Sequence, residues 1–392
     1  MKPTPKPIFS GLLCSLLILF SVAAPSSPAG SNAVILGEEN NDGMLFRPFQ
    51  ADEGPDGNIY VFDAKDAFIK VFTPSGQYAR RMGGRGQGPG EMIRLGSFGF
   101  TPDKRLFFTE MINGHRWITF MTLDGAFDKV LKMSLTGSCG IQQAVVLPDG
   151  RILSEIHTWG IPRKDGKYFT FPYPRKLAII DADGANSRTI IERDLPFSIS
   201  KTSNGGDTRL PFFPEFLWTL KNNDTIIFSE GNSHSLQLLK LNGAASSKIE
   251  TQLPEPPKVK KSDIESWKRE VKETMTKRFG AAAYQQFASV VEDYNTSIFK
   301  THPAYCGLSN TPAGNILVKG YRTSSGPERP YYLLNPEGKL ISSIISSAGF
   351  IKFCKHFLLV IQPDDSGNDL VYLFPSANKK EGHILQSAAQ TN

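Results

Sequence analysis

The residues most able to do chemistry recur at one place in a pattern. Asp63 follows the apolar run Ile59-Tyr60-Val61-Phe62, Glu110 follows Leu106-Phe107-Phe108-Thr109, and Glu230 follows Thr225-Ile226-Ile227-Phe228-Ser229. His115 and His234 stand a few residues further on, and His157 with Trp159 holds the corresponding place after Ile152-Leu153. A ring of carboxylates and imidazoles is a donor set for a divalent metal such as calcium or zinc. Two features weigh against that use. These residues fall on loops, and the strands that would face inward offer only Asp52 and Glu215 as acids. Structural or solvated roles are the expectation, so no metal ligand and no catalytic residue is assigned. Gly-x-Ser-x-Gly, His-Glu-x-x-His and Cys-x-x-Cys are all absent, which removes the commonest hydrolase, metalloprotease and zinc or redox signatures.

The elements that must position these residues are short strands. The repeated unit is an apolar run, a tight turn and a second apolar strand: Pro55-Asp56-Gly57-Asn58 before Ile59, Pro102-Asp103-Lys104-Arg105 before Leu106, and Pro148-Asp149-Gly150-Arg151 before Ile152. Weaker copies precede Thr225, Ile316 and Phe357. Asp-Gly and Asn-Asp supply the positive-φ residues of two-residue hairpins. A second hairpin follows in each unit, at Pro74-Ser75-Gly76, Asp124-Gly125, Asp183-Gly184, Asn242-Gly243 and Glu337-Gly338. Two hairpins per unit make a four-stranded meander. The first turns lie 47 and 46 residues apart, the period of propeller blades. The expected fold is therefore all-β, a six-bladed β-propeller of four-stranded antiparallel blades with a helical insertion. Val34-Ile35-Leu36 or Ile384-Leu385-Gln386 can supply the outer strand of the last blade.

The stretch Asp56 to Met92, with Gly83 to Glu91 as its most specific part, resembles the first blade of the bacterial six-bladed β-propeller family related to NHL repeats. The resemblance is strong over this blade, fair over the next, and one of spacing alone after Gly184. Members of that family are mostly exported propellers of unassigned activity, so the resemblance implies a fold and a compartment. The Gly83–Gly90 run lacks the Lys-Ser/Thr and following helix of a P-loop. It is expected to be a connector between blades.

Lys2 and Lys6, the apolar stretch Ile8–Ala24 and the Pro/Ser/Gly-rich exit to Asn32 form a secretory leader over residues 1–30. The expected location is extracytoplasmic, with membrane attachment only through this segment if it stays uncleaved. Beyond it, Cys139, Cys306 and Cys354 are too few for a disulfide framework and are expected to be buried free thiols. The formal charge of +6 makes the chain mildly basic. No stacked basic and aromatic reader motif accompanies it, so a nucleic-acid partner is not expected.

The mature part, residues 33–392, is expected to be one propeller and a monomer. Three additions break its period: Trp159–Arg175, Leu195–Pro214 and Pro254–His302. By the meander, all three emerge on the face opposite the Asp-Gly hairpins. The last, taken over residues 254–302 between blades four and five, contains a helix from Asp263 to Phe279, capped by Ser262, with Ile264, Trp267, Val271, Met275 and Phe279 at helical spacing. Loops on a rigid scaffold carry function, so the ligand face is expected here, formed by Asp63, Glu110, His157, Trp159, Arg163, Tyr168, Arg209, Glu230, His234, Trp267 and Arg322. The opposite face should be plain. The expected function is a binding or scaffold protein for a peptide, glycan or protein partner, with no cofactor. The alternative is a metal-assisted hydrolase or lyase, lactonase-like or amidating-lyase-like, with its site at the central channel.

Overall fold

Each repeated turn closes a hairpin because one of its residues accepts a left-handed backbone. Gly57 sits at φ 78°, and in the second unit Lys104 takes φ 64° at the matching position, where the sequence offers no glycine. The strands that these turns connect build six antiparallel sheets. The computed structural model describes residues 33–38, 42–110, 116–135, 139–158, 161, 163–165, 168–200, 208–209, 211–231, 233–244, 247–293, 300–322, 328–364, 366–376 and 379–389. The leader lies outside these residues.

Blade one comprises β2 (Pro48–Glu53), β3 (Ile59–Asp63), β4 (Phe68–Phe72) and β5 (Tyr78–Gly83), and blade two β6 (Leu95–Phe100), β7 (Leu106–Glu110), β8 (Trp117–Met121) and β9 (Phe127–Lys132). Blade three is built on β10 (Cys139–Val146), β11 (Ile152–Thr158), β13 (Tyr168–Ile180) and β14 (Ser187–Ser200), with short additions β12 (Arg163–Asp165) and β15 (Thr208–Arg209). Blade four runs through β16 (Leu217–Asn222), β17 (Thr225–Ser229), β18 (Ser235–Lys240) and β19 (Ser247–Glu250), and blade five through β20 (Tyr305–Asn310), β21 (Ile316–Gly320), β22 (Arg329–Leu334) and β23 (Leu340–Ser346). Blade six contains β24 (Phe350–Phe353), β25 (Phe357–Pro363) and β26 (Asp369–Pro375), and its fourth strand is β1 (Val34–Leu36). Val34 pairs with Leu373 and Leu36 with Val371. Of the two candidates for this strand, the structure selects the N-terminal one. Ile384–Gln386 instead lie in helix α3 (Glu381–Ala389), which packs on β23 and buries Ile384 and Leu385 between blades five and six.

The core is a set of layers between blades. Tyr60, Ile69, Val71 and Met82 of blade one meet Phe98, Leu106 and Phe108 of blade two. Leu36 and Val371 of blade six meet Ala51, Ile59 and Phe72 of blade one. Similar clusters fill the other four junctions. At about 1.5–3 kcal/mol for each fully buried large apolar side chain, these layers are the main attraction between neighbours. A lone blade would expose both of its sides.

The loops joining second to third strands, and those joining blades, share one face. On it, β13 and β14 run far past the blade and pair with each other from Phe169↔Ser200 to Ile180↔Ser187. The paired strands of the first two sequence additions thus form one antiparallel ribbon. Pro172 and Pro174 argue against a strand from sequence, yet they lie where β13 has left β11 behind, so no ladder bond to β11 is forfeited. Between β19 and β20 come helices α1 (Lys261–Phe279) and α2 (Ala281–Asp293), broken at Gly280. The cap is Lys260 rather than Ser262, because the Asp263 carboxylate accepts the Lys260 N–H at 2.7 Å and starts the helix two residues earlier. The α2 helix touches β14, so ribbon and helices meet across blade four. Among the described residues no helix is long and apolar enough to cross a membrane.

Candidate functional site at the channel mouth

Asp63 and Glu110 end the second strands of blades one and two, where the chain has just arrived from the previous blade. Their carboxylates hold that arriving backbone. Asp63 is fully buried and accepts the N–H groups of Phe46 (2.8 Å), Arg47 (3.0 Å) and Lys65 (3.1 Å), and pairs with the buried Lys70 ammonium at 3.1 Å. Glu110 accepts the Ile93 N–H at 2.7 Å. Glu230 pairs with Arg193 of the ribbon strand β14, and His234 meets Glu255 at 3.1 Å. These side chains stand at separate blades and do not converge. Arg163 is exposed and bound to Asp194, and Arg322 contacts Glu270 of α1 at 3.2 Å, so both cations are neutralised within the protein. Trp267 is half-buried on α1. Tyr168 and Arg209 lie on strands of the blade-three addition, whereas Trp159 and His115 lie outside the described residues. The Gly83–Glu91 run joins β5 to β6, and its own Glu91 carboxylate accepts the Gly88 N–H at 2.8 Å.

The structure does gather a cluster of which the sequence pattern singles out only His157. Strand alternation puts Glu155 and His157 on one side of β11. Across the ladder His157 faces Arg175, and the next blade brings Trp218. Glu155, 3% exposed, accepts Arg175 Nη1 at 2.6 Å and Trp218 Nε1 at 2.9 Å. Burial raises its carboxyl above the usual carboxylate range despite these donors. His157 stacks on Tyr173 with ring centroids 5.0 Å apart, and its buried Nδ1 has no hydrogen-bond partner. Burial first, then Arg175, pushes the imidazole down to about 4. Tyr173 is pushed up to about 12 by burial.

A second group lies on blade five. Lys319 of β21 donates to the Gly349 carbonyl, and Arg329 Nη1 of β22 contacts Cys306 Sγ at 3.6 Å. Burial, then the neighbouring Arg329, holds the Lys319 ammonium below its usual range. Glu215, just ahead of the inner strand β16, acts electrostatically on Glu155, Cys306 and Lys319 alike. Lower in the channel, Asp52 and Lys352 of the inner strands pair at 2.6 Å beside Cys354. Burial raises all three thiols, Cys139, Cys306 and Cys354, which are free and are not activated nucleophiles. Among the described residues no three His, Cys, Asp or Glu side chains gather to hold a metal ion.

Besides His157, already a candidate by its place in the repeat, the sequence carried one further signal for these clusters: Glu155 and Lys319 are charges inside otherwise apolar second strands, Ile152-Leu153-Ser154-Glu155-Ile156 and Ile316-Leu317-Val318-Lys319. Their partners come from other strands and were not readable. The opposite face also departs from expectation, because it is not plain. A pocket of about 320 Å³ opens there between the first hairpins of blades two and three, lined by Pro102, Arg105, Phe120, Lys129, Pro148 and Ile152. The hairpins are short, but the gap between two diverging blades supplies the depth.

Residues 41–110, which span the first blade and the inner half of the second, match the profile of a family described as a 6-bladed beta-propeller. The chain is a six-bladed β-propeller. No curated protein matches the propeller in sequence. Solved structures match it in fold. A member of the DUF4221 family from Bacteroides vulgatus is 11% identical, with 87% of this chain and 97% of that chain covered and a TM-score of 0.51. A gluconolactonase from Xanthomonas campestris is 11% identical, with 88% and 90% covered and a TM-score of 0.46. A virginiamycin B lyase from Staphylococcus aureus is 13% identical, with 88% and 99% covered and a TM-score of 0.43. At these identities the likeness is one of fold alone, and function lives in the site.

Proposed function

We propose that this propeller is an extracytoplasmic binding protein whose ligand, a peptide, glycan or protein segment, lies on the inserted face at the channel mouth. The observation that supports this reading is the meeting of the blade-three ribbon with α2 across blade four, beside a channel mouth that carries buried charged groups. Burying charge is costly, and on a face walled by two additions it suits recognition of a polar ligand. The N-terminal leader supports the location.

The insertion is suited to removal. Lys258 and Thr301 form a bridge at its base, so its ends are adjacent. Replacing Lys258–Thr296 by a short Gly/Ser linker keeps the ring folded, since loop closure costs little. Glycan and peptide arrays probed with the mature chain and with this deletion test the reading: a ligand captured by the first and lost by the second is expected. Arrays blank for the mature chain, or equal capture by both, refute it. Metal analysis of the purified mature chain separates this reading from the rival, a metal-assisted hydrolase or lyase, which requires a stoichiometric divalent ion.

A further inference from the structure

Several buried or partly buried cations of the inserted face are paired with carboxylates. Lys70 has Asp63 and Asp66, Arg175 has Glu155, Arg193 has Glu230, and Arg322 has Glu270. Lys319 and Arg329 have no such carboxylate among the described residues. The lysine has a backbone carbonyl, and the arginine has a thiol. Arg329 Nε is buried without a hydrogen-bond partner.

The two cations are neighbours by construction. Lys319 lies opposite Tyr331 in the β21–β22 ladder, and Arg329 precedes Tyr331 by two residues, so alternation puts both on one side of blade five, diagonally adjacent. The fold makes room for this arrangement. A side chain at Gly307 would begin 2.9 Å from the Lys319 Cβ, so the inner strand leaves out a side chain where the lysine stem passes. Two adjacent, half-buried like charges with no carboxylate bonded to either repel each other, and an arriving anion would relieve that repulsion.

We infer that Lys319 and Arg329 form a subsite for the carboxylate of a ligand at the channel mouth, an assignment that rests on the binding reading above. A carboxylate is favoured over a phosphate by the charge balance. Glu215 acts on the same lysine and offsets part of the double positive charge, which leaves the site matched to a single negative one. Arg329 supplies planar donors and Lys319 a point charge, the pairing that fixes a carboxylate by direction and by charge.

The test uses the mature chain, with thermal unfolding and calorimetric titration at matched ionic strength. The probes are sodium glucuronate, sodium lactate, N-acetyl-dialanine and inorganic phosphate, with sodium chloride as reference. At least one carboxylate should raise the unfolding midpoint over chloride, by more than phosphate does. Lys319→Met should abolish that rise while leaving the ligand-free midpoint equal or higher, because an uncompensated charge is gone. Arg329→Gln should weaken the titrated affinity about tenfold or more, and it serves alone if Lys319→Met does not fold. No carboxylate response above chloride, or one that survives both substitutions, overturns the subsite. A larger response to phosphate overturns the choice of carboxylate. Array ligands still captured by Lys319→Met and Arg329→Gln, but lost on deleting the helices, would leave the binding reading standing and sink only this assignment.

Discussion

Asp63→Ala should be among the most destabilising single changes on the inserted face, and the cost can be worked through. The carboxylate is fully buried and Lys70 is 1% exposed. Removing one partner of a buried pair costs about 3–5 kcal/mol. Lys70 keeps Asp66 at 2.9 Å and the Met44 carbonyl, which brings that cost to about 2 kcal/mol. The freed N–H groups of Phe46, Arg47 and Lys65 belong to exposed residues that water can reach, so together they add about 1 kcal/mol. The total is about 3 kcal/mol. Lys70→Met alone should cost about 2 kcal/mol, since Asp63 would keep its three amide donors. The double variant should also cost only about 2–3 kcal/mol, because no lone charge remains, giving a coupling energy of about 2 kcal/mol or more. Urea unfolding of the four proteins, with equal m-values, measures this cycle. Additive single effects, or a cost below about 1 kcal/mol for Asp63→Ala, would refute the claim that this carboxylate anchors the first blade.

Leu36→Ala removes a fully buried closing side chain and should cost about 3 kcal/mol, read as a lower urea midpoint. His157 is held down to about 4 against an ordinary 6.5, so the unfolded chain takes up its proton first. Its contribution is complete above pH 6.5 and is lost as pH falls towards 4, by up to about 3 kcal/mol. His157→Gln should flatten that slope in stability measured against pH, and the wild-type imidazole should not titrate in NMR between pH 7 and 5. At Asp263, burial acts to raise the carboxyl, but the Lys260 N–H and His302 outweigh it and hold it below its usual range. Its support for α1 is therefore present above pH 3.8 and lost as pH falls through the depressed value. Amide exchange at Lys261–Glu265 should accelerate only in that acid window.

The ring was legible because its punctuation is local: a two-residue hairpin needs a particular backbone, and Asp-Gly after Pro announces it within four residues. The position of each insertion was legible for the same reason, as a break in period. What joined them was not. Phe169 and Ser200 are partners across thirty-one positions, and strand prolines disguised the ribbon. Asp63 and Glu110 were found by repetition, yet repetition marks what every blade needs, and their bonds hold the backbone that arrives from the preceding blade. Glu155 and Lys319 occur once each. A feature without copies has no period to reveal it, and its partners Trp218, Arg175 and Arg329 come together only when neighbouring strands do.

The pairing of Val34 with Leu373 joins nearly the two extremes of the chain, which gives the final step of folding the largest contact order the molecule contains. Local meanders can form as they emerge, but the seam cannot be sewn until the last blade has been made. The strand that completes the circle is among the first segments of the propeller to be made, and it must wait unpaired until everything else has followed. The closing strand thereby acts as a latch that only a finished chain can engage.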